Sequence, residues 1–238
     1  MIIILIYENN TFALSWSPFA RKHYGLFMVS AFLHPFAKPT RTDFRTLVRG
    51  QGAVVYDNQG NQYIDGMASL WYCAVGHGRS DMAESIARQA GTLAAYSTFD
   101  PFTNEPAEQL AEKLVSIGPM KDARVFFTSS GSEAVDTAMK LARLAHVQAG
   151  HPERTLIISR QRGYHGTAYG GTSAQGIPPN REGYGPLVGD VEQVPADDIE
   201  ALATVMSQRG NTIAAVLVEP LQGAGGVFPP TEGYLESV

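Results

Sequence analysis

The stretch RVFFTSSGSEAVDTAMKLAR, residues 124–143, constrains this chain most: a β-prone run passes through a turn of small residues directly into an amphipathic helix. Arg124 to Thr128 reads as a short strand and Ser129 to Ser132 as the turn. Glu133 to about Ala149 reads as a helix with Val135, Ala138, Met139, Ala142 and Ala145 facing inward. A strand that delivers a helix N-terminus in this way builds an anion site, because the first N–H groups lack helical acceptors and the helix dipole favours negative charge there. Gly131 lets the backbone approach an anion, and Ser130 and Ser132 offer hydroxyl donors. The same residues also suit a plain capped helix, with Ser132 as N-cap and Glu133 and Asp136 as first-turn acids. This segment alone leaves both readings open. It is not a Walker loop, because the GK[ST] ending is absent, and neither this turn nor the GAGG at Gly223–Gly226 contains GxGxxG.

Continuous apolar runs at Thr155–Ser159 and Ile213–Val218 have the character of strands buried on both faces. Their alternation with helical segments argues an α/β fold with a largely parallel sheet. The Gly- and Pro-rich segment Gly176–Asp190 reads as a long loop. Upstream, Ala53–Tyr56 and Gln62–Asp65 flank Asp57-Asn58-Gln59-Gly60-Asn61, the pattern of a β-hairpin with a glycine-containing loop. Ser80 caps an expected helix through Asp81–Ala95, with Met82, Ile86, Ala90 and Leu93 at helical spacing. A second helix is expected after Thr103, with Ala107, Leu110, Leu114 and Ile117 on one face and Gly118-Pro119 as its stop.

Composition narrows the function classes. A net charge of −5 with no polybasic run provides no field for a nucleic-acid backbone. Cys73 is the only cysteine, which excludes an intramolecular disulfide and a thiolate zinc cluster and suits a reducing compartment, the cytoplasm by default. The apolar start MIIILIY reaches Glu8 too early to span a bilayer and lacks the basic region of a secretory signal. The reading is therefore no membrane and no export. Residues 1–33 read as a non-native or flexible extension, and Met28 is a candidate true start.

Two further features point toward a ligand. SRQRGYHGT places Tyr164 and His165 in a glycine-flanked turn just after the strand ending at Ser159, where an aromatic ring at a strand's carboxyl end can lie against a planar ligand. An ordinary surface turn would look the same. Glu219 closes the apolar run before Pro220, at the end of the sheet where α/β proteins bind ligands, although a strand-end glutamate is more often simply solvated.

From about His34 to Val238 the chain resembles the class III aminotransferases, the ω-transaminase group. The resemblance is carried by YDNQGNQYIDGMASLWYCAVGHGR, FFTSSGSEAVDTAMKLAR, RGYHGTAYGGTS, and VLVEPLQGAGG followed by a Pro-Pro pair. It implies pyridoxal 5'-phosphate fold type I, here truncated: mainly the parallel sheet of the large domain plus the N-terminal part of the small domain. The implied boundaries are 34–100 for the small-domain hairpin and helix and 101–238 for the incomplete cofactor-binding domain. It further implies that Gly131 and Ser132 hold the cofactor phosphate with Ser130 adjacent. Tyr164 would stack on the pyridine ring, His165 would support it, and Glu219 would join the polar network beside it. Trp71 would wall the substrate pocket with Tyr72 beside it, whereas from burial statistics alone Trp71 also reads as a core aromatic.

The activity implied is transfer of an amino group from an amine or ω-amino acid to an α-keto acid such as pyruvate, in a homodimer. Decarboxylase and aminomutase relatives share the same motifs, and a non-catalytic fragment or interaction module is the alternative from another class. In the family the Schiff-base lysine and the aspartate at the pyridine nitrogen lie beyond the EP motif, so the resemblance places no catalytic residue before Val238. The lysines present are Lys22, Lys38, Lys113, Lys121 and Lys140. Lys140 falls about two turns into its helix, roughly 10 Å from the phosphate end. The expectation is a polypeptide that holds part of a cofactor site and is inactive alone.

Overall fold

The computed structural model describes residues 5–8, 11–14, 31–120 and 122–238. They fall into two compact units, Met1–Phe102 and Thr103–Val238. In the first, the backbones of β1 (Leu5–Glu8) and β2 (Thr11–Leu14) pair antiparallel. Apart from these strands, the expected extension lies outside the described residues up to position 30, and Met28 with it. Three strands follow, β3 (Leu47–Gln51), β4 (Val54–Asp57) and β5 (Gln62–Ile64), in an antiparallel sheet of order β3-β4-β5. The expected hairpin is β4–β5, with Val54 opposite Ile64. Its neighbour β3 was not anticipated, because LVRGQ carries neither alternation nor a continuous apolar run.

Asp57 organises the hairpin loop. Its carboxylate accepts the N–H groups of Gln59 and Asn61, both at 2.9 Å, the Asn61 side-chain amide at 2.9 Å and the Tyr63 hydroxyl at 2.8 Å. These donors, the Asn61 amide foremost, hold its pKa at about 2, against an ordinary 3.8. The folded value lies below the unfolded one, so the contribution to stability is present above pH about 4 and is lost as the pH falls toward 2. Asp57→Asn is expected to lower the melting temperature at neutral pH and to flatten its dependence on pH within that window. Thermal denaturation of both proteins between pH 7 and 2 checks this, and parallel curves would contradict it.

Helix α1 (Ser80–Thr92) starts one residue earlier than expected: Ser80 lies inside the helix, Arg79 is the N-cap, and no side chain caps the first turn. It also ends three residues short of Ala95. Its spaced apolar residues Met82 and Ile86 are exposed, as is Leu93 at its C-cap.

In the second unit, α2 (Glu105–Ile117) is capped by Asn104, whose Oδ1 accepts from the Ala107 N–H at 3.0 Å, and it stops at Gly118 as anticipated. Leu110, Leu114 and Ile117 on its apolar face are exposed among the described residues. The expected strand at Arg124–Thr128 is irregular chain. No described strand pairs with it and Phe126 is 70% exposed, so its β-propensity finds no ladder to join.

Next come α3 (Gly131–Gln148), β6 (Leu156–Arg160), α4 (Tyr169–Ala174), a single 3-10 turn at Pro178–Asn180, β7 (Val191–Val194), α5 (Ile199–Arg209), β8 (Ile213–Val216) and α6 (Tyr234–Ser237). The sheet order is β7-β6-β8, with both neighbours parallel to β6. Every residue of β6 is buried, as its continuous apolar run requires. Alternate side chains serve opposite faces. Leu156 and Ile158 pack with Val194, Leu202 and Ile213, whereas Ile157 packs with Met139 and Ala174 from α3 and α4. Burying Ile157 and Ile158 contributes about 1.5–3 kcal/mol each. Of the inward face expected for α3, Met139 is buried and Val135 and Ala142 pack against it, but Ala138 and Ala145 are exposed.

Candidate functional site

The site forms at the carboxyl end of β6, where the chain leaves the sheet through Gln161–Ala168 and meets the N-terminus of α3. Ser130, not Ser132, is the N-cap of α3: its Oγ accepts the Glu133 N–H at 3.1 Å, while the Glu133 carboxylate takes the Ser129 N–H at 2.9 Å. That reciprocal cap satisfies the helix end locally and releases Ser132 for another task. Ser132 Oγ accepts the Thr167 N–H at 2.9 Å and lies 3.3 Å from the Thr167 hydroxyl. Asp136, one turn further along, is not a solvated first-turn acid. It accepts the N–H groups of Gly170 and Gly171 at 3.3 and 2.9 Å, so it serves the first turn of α4 instead.

Close approach is enforced by glycine. Gly166 has φ +100°, and a Cβ there would lie 2.8 Å from Ser132 Cα and 2.7 Å from its Oγ. The loop that carries Tyr164 and His165 therefore presses against the first turn of α3. The geometry brings Ser130, Gly131, Ser132, His165 and Thr167 into one neighbourhood.

Glu219 does not end a strand. β8 stops at Val216, Leu217 N–H makes one further bond to the Ile158 carbonyl at 2.7 Å, and the chain then departs from β6. Nor is the carboxylate left to solvent: Oε1 accepts the Tyr164 N–H at 2.6 Å and Oε2 the Gly223 N–H at 3.3 Å. The Glu219 carbonyl in turn accepts from the guanidinium of Arg160, the buried last residue of β6, which also reaches Asp197 at 3.5 Å. Asp197 is shared with Arg162 at 3.0 Å.

His165 is only 6% exposed, and its Nε2 has no hydrogen-bond partner among the described residues. Burial holds its pKa below the ordinary imidazole range, the Glu219 carboxylate opposing and Arg160 reinforcing the shift. A neutral, buried ring nitrogen without a partner is the kind of group that a ligand satisfies. Trp71 and Tyr72 belong to the first unit, where they are 61% and 84% exposed, so Trp71 is not a core aromatic.

Sequence reasoning missed Thr167 and Arg160, and it took Asp136 for a first-turn acid. Its role at the site was findable, since Asp136 lies four residues after Ser132 and so on the same face of α3. Thr167 directly follows the quoted YHG. Nothing local singles out Arg160.

The model of the family Aminotransferase class-III matches residues 36–238. The chain belongs to this family. It is 38% identical over 82% of its length to the β-alanine–pyruvate aminotransferase of Pseudomonas aeruginosa, of which the match covers 47%. It is 39% identical over 88% of its length to an acetylornithine aminotransferase of Xylella fastidiosa, covering 49% of that protein. Among solved structures, the pyridoxal-phosphate-bound amine transaminase of an uncultivated Pseudomonas species superposes with a TM-score of 0.81 at 34% identity, covering 87% of this chain and 52% of that one. This class III chain therefore spans about half the length of the relatives it matches. The α/β architecture, with its parallel sheet, is that of pyridoxal-phosphate fold type I.

The residues present fit that cofactor. The α3 N-terminus, with the Ser132 and Thr167 hydroxyls beside it, suits a phosphate, and His165 Nε2, without a partner among the described residues, lies on the same loop.

Proposed function

We propose that these residues supply the cofactor-cradling part of an aminotransferase that moves an amino group from an amine or ω-amino acid to an α-keto acid such as pyruvate. The observation that carries the reading is the docking of the Tyr164–Thr167 loop onto the α3 N-terminus through Ser132. Gly131 and Ser132 hold the phosphate of pyridoxal 5'-phosphate, with Ser130 adjacent as the cap that keeps the helix end in shape. Tyr164 stacks on the ring, and Glu219 sets its backbone through the bond to the Tyr164 N–H. His165, neutral at physiological pH, supports the ring from the buried side. Bound pyridoxal phosphate supplies the electron sink that makes the proton on the amine carbon removable. Trp71 and Tyr72 wall the substrate pocket.

In the same reading, residues 34–100 belong to the smaller domain and 101–238 to the cofactor-binding domain of a cytoplasmic homodimer. The reading assigns the Schiff-base role to none of the lysines present. Four of them lie outside the cradle's sequence, and Lys140 is exposed, about 13 Å along α3 from Gly131.

The test is a titration of the protein with pyridoxal phosphate, followed by visible absorbance, beside a coupled assay with β-alanine and pyruvate. Saturable binding is expected, weakened about 100-fold or more by Ser132→Asp, which sets a carboxylate against the phosphate. Equal affinity in both proteins would sink the phosphate assignment. Pyridoxal phosphate bound no better than inorganic phosphate would instead favour a general phosphate binder.

A further inference from the structure

The segment Ala68–Trp71 takes a conformation that L-residues avoid. Ala68, Ser69, Leu70 and Trp71 have φ of +47°, +52°, +65° and +79°. Four successive non-glycine residues thus form a left-handed turn, closed by the Trp71 N–H to the Met67 carbonyl at 2.8 Å, with the Cys73 N–H on the Ala68 carbonyl at 2.8 Å. Left-handed turns crowd Cβ against the following carbonyl, so such a run persists only where its surroundings over-determine it.

Those surroundings are specific. Both carboxylate oxygens of Asp65 accept the Ser69 N–H, at 3.1 and 2.9 Å, and Oδ2 also meets the Ser69 hydroxyl at 3.2 Å and His77 Nε2 at 2.8 Å. His77 is anchored in turn. Its backbone exchanges two 2.9 Å bonds with Gly52, and its ring lies so close over Gly50 that a Cβ there would be 2.6 Å from Cγ. The other ring nitrogen lies 3.5 Å from Cys73 Sγ. His77 therefore contacts Asp65 ahead of the turn and Cys73 beyond it. The His77 contact holds the Asp65 carboxyl below its ordinary range, so it accepts these bonds as a carboxylate.

The turn does not bury what it carries: Leu70, Trp71 and Tyr72 all project outward. Strain held in place by a half-buried Asp–His pair, in order to display aromatic side chains, points to recognition instead of packing. We propose that Asp65 and His77 are positioning residues for the amine donor, fixing the left-handed turn so that Trp71 presents its indole to the donor's apolar group. The inference rests on the reading of Trp71 as a wall of the substrate pocket.

The test compares benzylamine and β-alanine as donors in the full-length holoenzyme and in Trp71→Ala, Asp65→Asn, His77→Leu and His77→Gln, with the visible spectrum of the bound cofactor recorded for each. Gln retains a donor where Nε2 stands, whereas Leu removes it. His77→Leu and Asp65→Asn are expected to raise KM for benzylamine about tenfold or more, as Trp71→Ala does, with the cofactor spectrum unchanged. His77→Gln should stay within about threefold of the parent, and Asp65→Asn combined with Trp71→Ala should be no worse than Trp71→Ala alone. If Trp71→Ala raises KM while the Asp65 and His77 variants do not, the inference fails and the pocket reading stands. A Trp71→Ala enzyme with the parent's KM sinks the pocket reading itself. A scaffold role alone would show as equal loss of the cofactor spectrum in His77→Leu and His77→Gln, and would also overturn the proposal.

Discussion

Gly166→Ala is expected to destabilise the protein by about 3 kcal/mol or more and to weaken pyridoxal phosphate binding about 100-fold or more. Two independent penalties meet at this position. The backbone sits at φ +100°, where a Cβ is strained in any surroundings, and the new methyl would lie 2.8 Å from Ser132 Cα. The first-turn backbone of α3 cannot yield as a flexible side chain would, so relief requires the loop to lift away from the helix. Lifting it breaks the Thr167 N–H to Ser132 bond and carries His165 off with it. Gly183 is the control: φ is +85°, yet nothing lies within 4 Å of the place a methyl would occupy, so Gly183→Ala meets strain alone and should cost about 1 kcal/mol. Urea denaturation and cofactor titration of both variants separate clash from strain. Equal losses in the two would mean that the close approach to α3 is not what Gly166 provides.

Replacing Glu219 should have the second largest effect. Its carboxylate accepts the Tyr164 and Gly223 N–H groups, and in Glu219→Leu the half-buried Tyr164 N–H is left without an acceptor. Losing a charge-assisted bond and stranding its donor together cost about 3 kcal/mol, whereas Glu219→Gln keeps an acceptor oxygen and should cost about 1 kcal/mol. A second readout is electrostatic. Glu219 works against the depression of the His165 pKa, so neutralising it in Glu219→Gln should push the imidazole further down, measurable by NMR titration. An unmoved His165 would show that the carboxylate does not act on that ring. Glu219→Leu with Glu219→Gln stability would show that the Tyr164 bond contributes little.

How far the sequence could be read depended on how local each determinant is. The β4–β5 hairpin was legible because Asp57, Gly60 and Asn61 encode their own loop within a few residues. Strand β6 was legible because an unbroken apolar run has few other uses. The Arg124–Thr128 run misled for a complementary reason: propensity proposes a strand, but only a partner makes one. The N-cap of α3 was assigned to the wrong serine because SSGS offers adjacent candidates, and backbone direction alone selects among them.

The order and types of residues by themselves determined the family, the turn of small residues that opens into α3, and the presence of Ser132, Tyr164, His165 and Glu219 as chemistry-bearing groups. These are properties of residue type and near-neighbour spacing. Tertiary structure alone decided that Ser132 holds Thr167, that Glu219 grips the backbone of Tyr164 from fifty-five residues away, and that His165 Nε2 is buried without a partner among the described residues. It alone decided, too, that Asp65 and His77 clamp a left-handed turn. Each of those depends on which distant backbone groups a fold brings within 3 Å or so, the reach of a hydrogen bond, and that distance is not written in any local pattern.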